Sequence, residues 1–267
     1  MQHAIPRPPG AASAPWGWAA AGALTGLLLA LLLFAPARWL AALVRQASGE
    51  RITLFEPRGS FWQGSAQLVF SGGPGSRDQA ALPGQLAWRI RPTWNGMTLQ
   101  LSAECCTPQA LRLNAMPVGW GGVRLALADS QSSWPAGLLA GLGTPWNTLQ
   151  AQGQLVASTT GFQADWTQGR LSLAGRVQLD ATHISSRLST LQPMGSYRVT
   201  LQGGPSSTLQ VSTLEGSLQL TGQGQWVGER LRFEGVASAT PESIEALSNL
   251  LNIIGRRNGA RSIIKVG

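Results

Sequence analysis

The chain has 267 residues, of which 12% are charged and 43% are apolar, and its net charge is +8. So few charges exclude a body surfaced with Glu- and Lys-rich helices; Gly, Ser, Thr and Gln supply the polar surface instead, which suits strands. All cations except Lys265 are arginines, scattered until the C-terminal end, so the balance fits anionic headgroups or an acidic partner rather than nucleic acid.

Residues 1–15, rich in Pro and Ala, read as a disordered tail. No charge then occurs between Arg7 and Arg38. At about 1.5 Å per residue, residues 16–35 match a hydrocarbon core of roughly 30 Å, which predicts one transmembrane helix. Leu24, Leu28, Leu32 and Phe34 belong to its apolar body, and Trp16, Trp18 and Trp39 are interfacial anchors. The anchor is expected to continue as a helical extension to residue 45. A cleavable signal peptide is the alternative, since Ala35-Pro36-Ala37 has small residues at a cleavage spacing. The run is long for such a segment and Arg7 is its only leading side-chain charge, which favours a retained anchor. Arg38, Arg45 and Arg51 outnumber Arg7 and nominally hold the body inside, but the rule weakens for long translocated domains. Charge leaves the direction open.

From residue 46 to 267 the pattern changes to short alternating segments. Met97, Leu99 and Leu101 alternate with polar residues, as do Val123, Leu125 and Leu127, then Leu171, Leu173, Val177 and Leu179. Leu218 with Leu220, and Leu231 with Phe233, continue the scheme. This period of two gives each strand one apolar and one wet face, and Gly- and Pro-rich turns separate the strands, predicting an antiparallel all-β body. The apolar face is either a packed core or the lining of a groove. Two short helices interrupt it. One is predicted over residues 136–142, ending at Gly143. The other has Thr240 as N-cap, Pro241 in its first turn, a stripe of Ile244, Leu247, Leu251 and Ile254, and Gly255 as a left-handed C-terminal cap.

Chemistry-bearing constellations are scarce. His183 is the body's one histidine and reads as an ordinary strand or loop residue, with no nucleophile elbow elsewhere. Glu242 and Glu245 read as helix-dipole partners rather than a general acid and base. Cys105 and Cys106 are adjacent and make no metal site; two small buried apolar residues are the expected state, and a disulfide between sequence neighbours, closing a strained eight-membered ring, is the alternative. No cofactor or metal is expected, and a non-enzyme is. Trp62, Trp88, Trp146, Tyr197 and Trp226 are assigned to packing. Arg256, Arg257, Arg261 and Lys265 form a C-terminal basic cluster suited to headgroups or a partner.

Eight strings then occur in order: Gly59-Ser-Phe-Trp-Gln-Gly64, Leu82-Pro-Gly-Gln-Leu-Ala-Trp-Arg-Ile90, Cys105-Cys106, Trp134-Pro-Ala-Gly-Leu-Leu-Ala-Gly-Leu-Gly-Thr-Pro-Trp-Asn147, Pro193-Met-Gly-Ser-Tyr-Arg198, Gly222-Gln-Gly-Gln-Trp226, Arg232-Phe-Glu-Gly-Val-Ala237 and Leu247-Ser-Asn-Leu-Leu-Asn-Ile-Ile-Gly-Arg-Arg257. With the single apolar stem before them, they resemble type II secretion system protein N, a general secretion pathway component of Gram-negative bacteria. The resemblance implies a single-pass inner-membrane protein with a cytoplasmic N-terminus and a periplasmic body, acting as a non-enzymatic accessory part of the secretion apparatus. It also implies an oxidising compartment and an elongated, AsmA-like β-rich fold. Other secretion-system components are the expected partners. The alternative is an envelope lipid-binding or lipid-transfer protein, with lipid as its partner.

Overall fold

The computed structural model describes residues 16–227 and 230–267; the tail expected at residues 1–15 lies outside the described residues. The chain divides into two compact units, Met1–Ala35 and Pro36–Gly267.

In the first unit, helix α1 (Trp16–Leu33) has no charged residue and buries none of its side chains. Its one hydroxyl, Thr25, donates back to the Ala21 carbonyl at 2.8 Å and is thus satisfied within the helix. Among the described residues α1 is the one helix long and apolar enough to cross a bilayer.

The second unit opens with α2 (Ala37–Ala47), entered through an extended Pro36. Ala37, Leu40, Ala41 and Val44 recur at helical spacing and pack into the core, while Arg38, Trp39, Leu43 and Arg45 are exposed. Then come β1 (Ile52–Gly59), β2 (Gln63–Ser71), β3 (Gln79–Ala81), β4 (Leu86–Thr93), β5 (Gly96–Ala103), β6 (Leu111–Val118), β7 (Gly122–Leu127) and β8 (Ser130–Pro135). A 3₁₀ turn at Ala136–Leu142 and the short α3 (Trp146–Leu149) precede β9 (Gln152–Thr167) and β10 (Arg170–Ser185). The chain continues through β11 (Gly195–Gln202), β12 (Thr208–Gly216), β13 (Leu218–Val227) and β14 (Arg230–Ala239). It closes with α4 (Ile244–Ile254), β15 (Arg256–Asn258) and β16 (Arg261–Val266).

All sixteen strands belong to one sheet, in the order β1-β2-β4-β5-β6-β7-β9-β10-β11-β12-β13-β14-β16-β15, with β3 beside β2 and β8 beside β9. The pairings are antiparallel, as the period-two alternation predicted. Near-sequential order follows from tight turns, because each strand pairs most readily with the one just made. The expected short strands have one exception: β9 and β10 form a hairpin of 16 residues per strand. Its β9 arm is shared by two shorter strands, β7 against residues 163–166 and β8 against residues 154–159. Between those stretches β9 bulges at Gly161, whose φ is 56° and whose N–H donates to the Asp129 carboxylate at 2.6 Å. A strand this long is thus broken up in sequence by a bulge, which hides its continuity.

Two clusters on the apolar face form the core. One gathers Leu54, Leu68, Leu82, Leu86, Trp88, Ala103 and Leu138 under α2. The other gathers Leu155, Ile184, Met194, Tyr197, Leu218 and Ala237 with Leu247, Leu250 and Leu251 of α4. Trp134 packs against both. Both predicted short helices form, the first as a 3₁₀ turn. The second departs at both ends. Thr240 makes no side-chain cap bond, and Pro241–Ser243 is a 3₁₀ turn ahead of α4. Gly255 is extended rather than left-handed; it is small because a Cβ there would meet the Ile263 carbonyl oxygen at 2.5 Å.

The cysteines take the alternative state rather than the expected one. Cys105 and Cys106 are bonded to each other. Cys106 is buried in the first cluster and Cys105 is exposed. The pair sits in the β5–β6 connection, held by the Cys106 N–H to the Ala103 carbonyl and by the Ser133 N–H to the Cys106 carbonyl. A turn that small brings neighbouring side chains together, which spacing rules for ordinary disulfides do not cover.

Candidate functional site

A sheet offers a protein partner three things: its two faces, its outer edges and its turns. The wet face carries bidentate ion pairs. Arg198 donates to Asp180 from Nε at 2.7 Å and from Nη2 at 2.8 Å, and Gln178 adds a third bond at 3.0 Å. Arg198 therefore holds the Asp180 carboxyl below its ordinary value, against the opposing effect of burial. Arg124 engages Asp165 in the same fork, at 2.7 and 2.8 Å, and lowers that carboxyl too. Lys265 pairs with Glu234 at 2.9 Å. An open trough of about 730 Å³ runs over this face, lined by Arg198, Thr200, Gln210, Gln223, Glu234 and Lys265. Its lining mixes amide, hydroxyl and paired charge with the apolar side chains of Val211, Val236 and Ile263. Among the described residues no group of three or more His, Cys, Asp or Glu side chains could hold a metal. His183 sits at a β10 bulge with φ of 53°, its N–H donating to Ser196 Oγ at 3.1 Å.

The apolar face is covered over part of its area only. Packed residues such as Trp88 and Leu101 continue by register into Leu99 and Met97 on β5 and Ala115 on β6. Leu125 and Val123 on β7, then Ala164 and Trp166 on β9 and Leu173 and Leu171 on β10, extend the row. Met97, Leu125, Val123, Trp166 and Leu171 on this strip are all exposed. The choice between packed core and groove thus has a divided outcome: both helices and the 3₁₀ turn cover one part, and this strip stays open.

The two outer edges are unlike. β1 carries Pro57, which has no N–H to donate, and a bulge after Phe55 with Glu56 at φ of 47°. α2 also packs on it. β16 runs on past three-residue β15, whose register with it ends at Ile263. Lys265 and Val266 then have no strand on their outer side among the described residues.

The expected anchor residues Trp16, Trp18, Leu24, Leu28, Leu32 and Phe34 are all exposed, the first five on α1 and Phe34 just past its end. Trp39 lies on α2 and is half-exposed. The basic cluster is divided. Arg257 turns inward, donating to the Gly259 carbonyl at 2.5 Å and the Ser248 carbonyl at 3.2 Å. Arg256, Arg261 and Lys265 alternate onto the other face, where Lys265 is already paired. Among the residues assigned to packing, Trp88 is buried with its Nε1–H on the Phe61 carbonyl at 3.1 Å, and Tyr197 is buried. Trp146 is 39% exposed, because α3 is a single turn lying over the surface. Sequence reasoning passed over Trp94 and Trp120, both fully exposed at hairpin turns. The signal was present: Trp94-Asn95-Gly96 and Gly119-Trp120-Gly121 put an indole inside a turn sequence, where no strand face can bury it.

No curated protein and no solved structure matches the chain. The family model for protein N of the type II secretion system matches residues 50–264, a span that runs from the start of β1 into β16 and takes in the sheet's share of both core clusters, and the chain belongs to that family.

Proposed function

We infer that the protein is a non-enzymatic accessory part of the type II secretion apparatus, held in the inner membrane by α1 with its N-terminus cytoplasmic and its β-rich unit periplasmic. Family membership over residues 50–264 carries the reading. The apolar, fully exposed α1 supports the anchor, because exposing such a helix to water would be strongly unfavourable. The wet face supports a docking role, since it is open and mixes ion pairs and amides with exposed apolar side chains such as Val236. Deleting the chain from a secreting strain is expected to lower export of secreted enzymes and to change which apparatus components copurify. Unchanged export together with unchanged complexes overturns the reading.

A second reading, lipid handling, draws on one observation: the apolar strip from Met97 to Leu171 lies open on the sheet. An acyl chain would gain by covering it. Mass spectrometry of lipids that copurify with the full chain, compared with a Leu125→Asn, Leu171→Asn variant, tests it; equal lipid content in both removes it.

A further inference from the structure

Four consecutive hairpins of the sheet turn at the same end. The registers Gly59↔Gly64, Thr93↔Gly96, Val118↔Gly122 and Thr167↔Arg170 place the β1–β2, β4–β5, β6–β7 and β9–β10 turns side by side. Phe61 and Trp62 lie in the first turn, Trp94 in the second and Trp120 in the third, while Trp166 and Leu171 flank the fourth. Trp94 and Trp120 are 105% and 104% exposed. A lone exposed Leu needs no explanation, but indoles wholly in water on neighbouring turns do. Eight strands at roughly 4.8 Å spacing make this row on the order of 30 Å long, which suits an extended surface better than a pocket.

Three further observations say what the surface is. Pro36, the first residue of the β-rich unit, bridges to Ser60 in the first of these turns, and only Phe34 and Ala35 separate it in sequence from α1. The aromatic row is thus the end of the sheet at which the chain passes to its apolar helix. The charges also agree. Arg91 and Arg170 are exposed beside the turns, while Asp165, the one carboxylate of the three Trp-bearing turns from β4 to β10, is occupied by Arg124. Finally, the open apolar strip ends here, so the apolar character of the tips is continuous with the face behind them.

We propose that this row of hairpin tips rests on a lipid bilayer, with Trp94 and Trp120 in its interfacial layer and Arg91 and Arg170 against anionic headgroups. Indole is suited to that layer because its ring is apolar and its N–H is not, and each cation near an anionic surface adds attraction that salt screens. The proposal rests on reading α1 as the anchor in the same bilayer.

The test uses the full chain. Asn95→Cys and Trp120→Cys place single reactive thiols at two tips, and Gln109→Cys places one at the opposite end of the sheet, in the β5–β6 connection. The native cysteines are bonded to each other, so the unreduced protein offers the introduced thiol to an environment-sensitive dye. The labelled chains are reconstituted into phosphatidylethanolamine–phosphatidylglycerol vesicles with brominated acyl chains and recovered by flotation. Quenching at positions 95 and 120 is expected to exceed that at position 109 several-fold. Adding Trp94→Ser and Trp120→Ser to the Asn95→Cys chain is expected to remove at least half of its quenching, with circular dichroism unchanged because those indoles pack against almost nothing. A chain that floats and resists alkaline carbonate but shows equal, weak quenching at all three sites overturns the docking and leaves the anchor standing. Failure to float overturns both. A photo-crosslinker at Trp94 or Trp120 that captures a protein in cells, and no lipid, also overturns the docking.

Discussion

Tyr197 shows how a single buried group differs from its neighbours. Its ring is packed in the second core cluster, yet its hydroxyl is buried with no hydrogen-bond partner among the described residues. Burial accordingly pushes its ionisation upward. An unsatisfied buried hydroxyl costs about 1–3 kcal/mol, so Tyr197→Phe is expected to leave stability unchanged or raise it by about 1 kcal/mol in chemical unfolding. A loss of comparable size would show that the hydroxyl does have a partner. Leu247 is the opposite case, wholly buried between α4 and the sheet. Leu247→Ala is expected to cost about 2–5 kcal/mol by the same measurement. The Asp180–Arg198 pair adds a pH dependence. Because Asp180 is held below its ordinary value of 3.8 in the folded protein, its stabilisation is present above that value and is lost as pH falls through the lower, folded one. Thermal stability should therefore drop on acidification below about pH 4, and Asp180→Asn should flatten that drop.

At the level of elements, the two sheet edges predict where a partner strand can add. Pro57 and the bulge block β1, whereas the outer side of Lys265 and Val266 is open. Strand addition requires free backbone donors and acceptors, which β1 offers only beside Pro57, a bulge and α2. A photo-crosslinker at Val266 is expected to capture another component of the secretion apparatus, and one at Phe55, equally exposed at 53%, is not. Capture from Phe55 alone would reverse the assignment. The helices were readable for a definite reason: α4 shows its stripe of Leu247, Leu251 and Ile254 whatever it packs on. Its ends were not, because the packing of Gly255 against Ile263 is set by β16, which follows it in sequence.

For the whole molecule, the outcome turns on α1. Membrane fractions containing the full chain should retain it through alkaline carbonate extraction, and a chain beginning at Pro36 should appear in the soluble fraction or bind vesicles through charge alone. Release of the full chain by carbonate would remove the anchor and, with it, the membrane contact inferred for the aromatic row. The separation of the molecule into an apolar helix and a β-rich unit was legible because both rest on local periodicity: an uncharged stretch for one, alternation for the other. The candidate surfaces were legible only in part. Arg256, Arg257, Arg261 and Lys265 look like one cluster along the chain, but strand alternation sends Arg257 inward and the others outward.

The sequence by itself determined the class of fold, the position of the apolar helix and the family, since composition, periodicity and ordered strings are properties of the chain read locally. Tertiary structure alone decided which part of the apolar face is covered, that Cys105 and Cys106 are joined, and that Trp62, Trp94, Trp120 and Trp166 gather toward one end of the sheet. Those outcomes depend on register and strand order, which bring together residues more than a hundred positions apart and which no local pattern encodes.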